Sequence, residues 1–396
     1  MMKEYAKLGF MTKALHSGHG CGMKRAEKMQ SALKDVSPWL SEASFESLAF
    51  EASFAALDGG NSAVAFASSY AAWSCLLRTL CAEGTNVILS SRVCCGTRRL
   101  ICRILEEMGA AAKFVDSDHP CQTEQNIDDD TRAVITESLA APMMSVAPLE
   151  ALSRVARRQG VPLVIINTLA TSALCRPIEF GAHVTVTEAA PFAASGGASA
   201  CVVTDGANFD WHEWSEKFPQ LTRADAEFGG ASFSSLFGEA AFGAKMRFLA
   251  MRGANYMTSE GEAERLRSFL RTLGLRMGRQ SENALAAAKF LAAHELVCNV
   301  RYPGLAGHPQ NDMAQVYLKN GCGAVLSFEL KRREAQKEFM EALRLISAAA
   351  SPEGMTSTLF KNEEAAARLC LAVGCEAAAD ITADLGQALN AALARL

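Results

Sequence analysis

Pro162-Leu163-Val164-Ile165-Ile166-Asn167-Thr168-Leu169-Ala170-Thr171 is an unbroken apolar run that ends in a polar turn. A strand that is apolar at every position has no solvent-facing side, so Pro162–Ile166 belongs inside a sheet covered on both faces. Upstream, Leu149–Gln159 carries apolar residues at helical spacing, and Ala133–Glu137 reads as a strand. The same alternation gives strands at Ser62–Ala67, Asn86–Ser90 and Ala112–Val115. Helices are predicted at Phe45–Asp58, at a segment opened by Ser68-Ser69-Tyr70 and running to Cys81, and at Thr97–Met108. Gly59-Gly60 stops the first of these. Downstream, Val184–Thr187 and Ala200–Thr204 continue the strand series. Short buried strands alternating with helices define an α/β class with a mostly parallel sheet.

From about Gly253 the pattern changes to longer helices, Glu262–Leu273 and Ser281–His294, with strands at Val325–Leu330 and Arg368–Val373. Three regions are expected: an N-terminal arm over 1–45 with one helix near Lys24–Lys34, a large α/β domain over 46–250, and a smaller C-terminal α+β domain over 251–396.

The composition narrows the function classes. The 396 residues are 49% apolar and 21% charged with a net charge of -4, which gives no basic footprint for nucleic acid. No apolar run approaches the roughly 20 residues that span a bilayer, and the first residues lack a signal-peptide core, so a cytoplasmic protein is expected. Thirteen scattered cysteines without a C-x-x-C pair fit free thiols in a reducing compartment. Cys94-Cys95 reads as two small residues at the end of a strand. His16, His19 and Cys21 match no standard zinc spacing, and no metal is expected. Nucleophile-elbow, Walker-type and H-E-x-x-H patterns are all missing from the sequence. Asp128-Asp129-Asp130 and Lys331-Arg332-Arg333 read as solvated surface.

Several segments, taken in order, carry a resemblance. They are Ala55-Ala56-Leu57-Asp58-Gly59-Gly60, Val164–Thr171 with Arg176-Pro177, Gly181–Phe192, Leu273–Met277 with Glu282-Asn283-Ala284, Tyr302-Pro303-Gly304-Leu305, His308-Pro309-Gln310 and Leu326–Leu330. Together they resemble the Cys/Met-metabolism enzymes dependent on pyridoxal phosphate (PLP), the lyases and sulfhydrylases of transsulfuration. The resemblance covers nearly the whole chain. It implies the fold-type-I PLP-transferase architecture and a homodimer or homotetramer.

The departures from that family cluster at its cofactor. The family's cofactor-lysine segment, roughly G-A-D-I-V-V-H-S-A-T-K-Y, matches Gly181–Phe192 and puts Pro191 on the lysine. Proline has no primary amine and cannot form a Schiff base. The phosphate turn S-G-M falls on Ser68-Ser69-Tyr70, where the lost glycine adds a Cβ at a close backbone approach. A phosphate-contacting serine falls on Glu188 and its neighbouring threonine on Ala190. The tyrosine that stacks on the ring falls on Cys94, and the aspartate that keeps the ring nitrogen protonated falls on Ile166. An asparagine near the ring hydroxyl falls on Ala141. The arginine that clamps the substrate carboxylate falls on Cys370, with Arg368 two residues earlier as a displaced guanidinium. A neighbouring-subunit tyrosine and arginine fall near Trp39 and Ser41.

Each lost charged hydrogen bond costs roughly 1.5–3 kcal/mol. Three or four such losses weaken cofactor binding by roughly four to six orders of magnitude. The nearest lysines in sequence, Lys217 and Lys245, belong to segments after the sheet. No catalytic residue and no bound cofactor are therefore expected, with PLP only in an unorthodox site and not as a Schiff base at Pro191.

Three readings of the vestigial pocket stand. The first is a non-catalytic homologue acting as scaffold, sensor or regulatory subunit, alone or paired with an active paralogue. The second is an active carbon–sulfur lyase or sulfhydrylase. The third is a repurposed, mildly acidic and thiol-bearing cleft lined by Glu188, Cys94, Cys370, Asn167 and Thr168. Core filling by Ile166, Ala141 and Ala190, with Cys94 and Cys370 as small fillers, is the plain structural account of the same substitutions.

Overall fold

A computed structural model of the chain describes residues 8–17, 21–37, 40–189, 200–226, 230–253, 255–349, 354–361 and 367–395. Among the described residues up to Asp205 there are nine strands: β1 (Ser62–Phe66), β2 (Asn86–Ser90), β3 (Ala111–Val115), β4 (Thr131–Glu137), β5 (Leu139–Ala140), β6 (Ser145–Val146), β7 (Leu163–Ile166), β8 (Val184–Glu188) and β9 (Cys201–Asp205). Seven of them form one sheet in the order β1-β9-β8-β7-β4-β2-β3, and β5 pairs with β6. The pairs from β8 through β3 are parallel, whereas β9 runs antiparallel to both β8 and β1.

Alternation along each strand divides the core. Leu163 and Ile165 of β7 join one buried cluster with Ile88 and Val134. Val164 and Ile166 join the other, with Val87, Leu89 and Ile135. Both faces are covered, as the apolar run at 162–166 requires.

The helix Phe45–Asp58 shows how local sequence fixes the frame. Ser44 caps it by accepting the Ser47 N–H, and Gly59 ends it in the left-handed region at φ 81°. Gly60 follows where a Cβ would overlap the Thr204 side chain. Within the helix, Glu51 is buried against Arg247 of the helix Ala241–Arg252. Its Oε1 also accepts the Ala65 N–H at 2.8 Å, and Arg247 donates to the Ala63 carbonyl at 3.1 Å. One buried ion pair thus ties two helices to β1.

The second sheet has β10 (Val297–Arg301), β11 (Val325–Leu330), β12 (Ser347–Ala348), β13 (Thr358–Lys361) and β14 (Arg368–Ala372) in the order β10-β11-β14-β13-β12. It is antiparallel except between β12 and β13. The helices Leu273–Ala293 and Ala378–Leu393 pack against it. Two large elements differ from expectation. The predicted helix Glu262–Leu273 is Glu260–Leu270, and the next helix starts at Leu273 rather than Ser281. Thr272 breaks the run with its hydroxyl on the Phe269 carbonyl, while Gly274 and Gly278 hide the helical signal of the early turns. Strands β10, β12 and β13 lack clear apolar alternation and are not evident in the sequence.

Two helices, Phe10–His16 and Cys21–Val36, lie in the arm where one was expected near Lys24–Lys34. Cys94 and Cys95 sit at the start of the helix Cys95–Glu107, not at a strand end. Asp128 is not a simple solvated charge: Lys113, Asn86 and Thr131 all bond to it. Every cysteine whose side chain is described is free. Among the described residues no helix is long and apolar enough to cross a membrane.

Breaking the Glu51–Arg247 pair leaves a buried charge without its partner. Arg247→Met is expected to lower stability by about 3–5 kcal/mol. Pairing it with Glu51→Leu should recover part of that loss, read as the midpoint of urea unfolding.

Candidate functional site

Parallel strands bring their C-terminal ends to one sheet edge, and β4, β7 and β8 end there in Glu137, Ile166 and Glu188. The helix Ser69–Leu80 begins at the same place. Ser68 is its cap, accepting the Ala71 N–H at 3.2 Å. Ser69 Oγ donates to Glu188 Oε1 at 3.0 Å. The Glu188 N–H in turn donates to Thr168 Oγ1 at 3.1 Å. Ser69, Thr168 and Glu188 are therefore joined by direct hydrogen bonds.

A second carboxylate stands nearby. Glu137 is buried, and its Oε1 accepts the Cys94 N–H at 3.2 Å. Burial pushes its carboxyl up to about 8, with Glu188 adding to the rise and the Cys94 N–H opposing it. Cys94 is exposed as a residue, yet desolvation of its thiol, then Glu137 beside it, pushes that thiol up to about 11. Cys370 is fully buried on β14, and burial pushes its thiol up to about 12. Both thiols are protonated at neutral pH and are poor nucleophiles.

The remaining sequence-derived residues fall into two groups. Ile166 is buried at 4% exposure in the sheet core, so its side chain belongs to packing. Ala141 is half-buried against the other core cluster and precedes a cis Pro142 whose carbonyl accepts Ser327 Oγ. Asn167 and Tyr70, expected to line the pocket, are engaged elsewhere. The Asn167 side chain donates to the Cys175 carbonyl at 2.9 Å and accepts Ser138 Oγ at 2.7 Å, which uses both ends of its amide in the scaffold. The Tyr70 ring is 43% exposed and its hydroxyl donates to Glu107 at 3.1 Å, at the far end of the next helix.

Arg368 does not supply a displaced guanidinium. It pairs with Glu329 and donates to the Asn299 carbonyl at 3.0 Å and Ser327 Oγ at 3.2 Å, all within the smaller sheet region. Lys217 donates to the Gln159 carbonyl at 3.0 Å, and Lys245 lies 3.5 Å from Asp225 and over the Phe233 ring. Pro191, Ala190, Trp39, His19 and the Cys21 side chain lie outside the described residues. Among the described residues no group of three or more His, Cys, Asp or Glu side chains is placed to hold a metal ion.

Glu137 was not singled out in the sequence, although a signal was present. It is an acid ending the otherwise apolar run Ala133–Thr136, at the strand end where open α/β sheets bind ligands. A narrow cleft beside the edge is lined by Thr168, Leu169, Met277, Gln280, Val325 and Val373, from both sheet regions. Thr171, on the same cleft, holds a left-handed φ of 52°, a strained geometry for a β-branched residue.

This combination of sheets is that of the α/β fold-type-I PLP enzymes. The chain belongs to the family described as Cys/Met metabolism PLP-dependent enzyme, whose family model matches residues 44–390. It is 34% identical over 362 residues to homocysteine synthase of Schizosaccharomyces pombe, covering 87% of this chain and 84% of that protein. It is 31% identical over 419 residues to O-acetyl-L-homoserine sulfhydrylase of Corynebacterium glutamicum, covering 95% and 96%. Among solved structures, one from Campylobacter jejuni, assigned to O-acetylhomoserine (thiol)-lyase and containing N'-pyridoxyl-lysine-5'-monophosphate, superposes with a TM-score of 0.87 at 24% identity. It covers 97% of this chain and 100% of that one. O-Acetylhomoserine sulfhydrylase of Wolinella succinogenes superposes with a TM-score of 0.79 at 27% identity, covering 96% and 100%.

The buried Glu137 carboxyl makes a signed pH prediction. Its folded value lies above the ordinary value of 4.5, so its contribution is fully present below about 4.5 and is lost as pH rises through about 8. Relative to wild type, Glu137→Gln should gain stability by up to a few kcal/mol between those limits and then level off. Urea unfolding at half-unit pH steps measures the difference; a flat difference would reject it.

Proposed function

We propose that this chain is a non-catalytic member of its family, a pseudoenzyme that keeps the fold and acts as scaffold, sensor or regulatory subunit. The observation that carries the reading is the hydrogen bond from Ser69 to Glu188, which puts a carboxylate at the helix start beside the strand that leads to Pro191. The family's cofactor calls for a primary amine, a cradle for a phosphate and an acidic partner for its ring nitrogen. The described edge offers Glu188 at the helix start and a core-packed Ile166, and the sequence offers Pro191. These residues do not fit the group. Lys217 and Lys245, each held by partners of its own, provide no substitute amine.

The protein is proposed to be cytoplasmic and to form a homodimer or homotetramer, with an active paralogue as a possible second subunit. The Glu51–Arg247 frame supports a scaffold role, because its contacts to β1 involve none of the edge residues.

A second reading has its own support. Relatives more than 30% identical over most of both chains carry the names homocysteine synthase and O-acetyl-L-homoserine sulfhydrylase. That similarity favours an active carbon–sulfur enzyme with an unorthodox PLP site.

Absorbance of the purified protein with excess PLP separates the two readings. The first predicts no band near roughly 420 nm after dialysis, no borohydride-trapped adduct, and no homocysteine from O-acetyl-L-homoserine and sulfide. A trapped adduct together with product formation would establish the second. Pro191→Lys alone is expected to leave the spectrum unchanged, since Glu188, Ile166 and Cys370 remain. A stable trapped band in that single variant would show that the lysine was the only missing part.

A further inference from the structure

The start of the helix Ser69–Leu80 is a natural anion site. Its first backbone N–H groups lack partners within the helix, and the helix dipole places partial positive charge there. Twelve residues are enough to develop that field. Ser68 serves one of the N–H groups through its capping hydroxyl. The Ser69 hydroxyl, in the first turn, is given to Glu188. Glu188 reaches this position because β8 runs parallel to β7 and ends beside the turn after it, where Thr168 Oγ1 receives the Glu188 N–H. The strand end and the helix start are separated by 119 residues in sequence, so their juxtaposition is a product of the sheet order.

We infer that Glu188 is a built-in anion that occupies this helix start and excludes oxyanion ligands, phosphate monoesters in particular. The inference rests on the non-catalytic reading and deepens it, by identifying which group keeps the ligand out. A carboxylate held by Ser69 takes up that hydroxyl, and its charge opposes a second anion at the helix start. Glu137, the next acidic side chain along the edge, adds to that opposition when ionised, and Arg98 is the basic group that offsets it. Simple loss of a ligand would leave the helix start to solvent. An internal carboxylate there instead gives the Ser69 hydroxyl a partner and sets a negative charge beside the helix start.

Inorganic phosphate is the probe, titrated into the full chain by calorimetry and by thermal unfolding in a non-phosphate buffer. Wild type is expected to show no saturable binding and no rise in Tm. Glu188→Ser, which removes the carboxylate and supplies a small hydroxyl, should bind phosphate at least about tenfold tighter than wild type, with a phosphate-dependent rise in Tm. Glu188→Gln keeps the side-chain shape and an acceptor for Ser69 while removing the charge, and should show a smaller gain. It carries the test if Glu188→Ser does not fold, as judged by circular dichroism.

Wild type binding phosphate as tightly as a folded Glu188 variant would overturn the inference, and so would two folded variants that bind no better than wild type. A borohydride-trapped PLP adduct on wild type is a separate result. It would overturn the non-catalytic reading without altering the phosphate comparison.

Discussion

Parallel strands impose one constraint on which everything else here depends: all their C-terminal ends must emerge at the same edge of the sheet. β4, β7 and β8 are separated along the chain by the helix Leu149–Arg158 and by the turn and short helices after Ile166, yet they end side by side. Whatever residue closes each strand is delivered to a common place. In this chain those residues are Glu137, Ile166 and Glu188, two acids and an aliphatic group. The chemistry of the edge is thus decided by the three residues that close these strands.

That separation explains how the scaffold can be held independently of the groups that line its edge. The sheet is held by alternating apolar residues whose partners lie on its two faces, and β1 is held by Glu51 and Arg247. The edge hydrogen bonds from Ser69 to Glu188 and from Cys94 to Glu137 join residues already positioned by those contacts. Substitution at the edge changes charge and donor supply without opening the core. Ile166 does the reverse of opening it, because its side chain extends the cluster containing Val164 and Ile135.

The large sheet was legible in the sequence because most of its strands are buried and read as apolar runs. Asn86–Ser90 in that sheet and Val325–Leu330 in the smaller one match to the residue, and the other predicted strand limits fall within one or two positions. The smaller sheet was only half legible. β10 carries Cys298, Asn299 and Arg301 among its five residues, and β12 is two exposed residues, so neither announces itself by periodicity. The helix starting at Leu273 was concealed by glycines whose neighbours Leu273 and Met277 are nonetheless buried. In each case tertiary burial outweighed a weak local signal.

At the site, the legible part was the list of positions, and the illegible part was direction. Motif order placed Ser69, Glu188, Cys94 and Thr168 together because the strand ends converge. It could not say that Asn167 spends both amide ends on Ser138 and Cys175, or that Tyr70 turns outward to Glu107. Nor could it say that Arg368 faces Glu329 and the Asn299 carbonyl. These are contests between alternative partners, settled by distances that only the folded chain defines. Glu188 illustrates the point most directly. In the sequence it is a charge that repels an anion. In the fold it is also the acceptor for the Ser69 hydroxyl at a helix start, a partner 119 residues away that the sequence alone does not name.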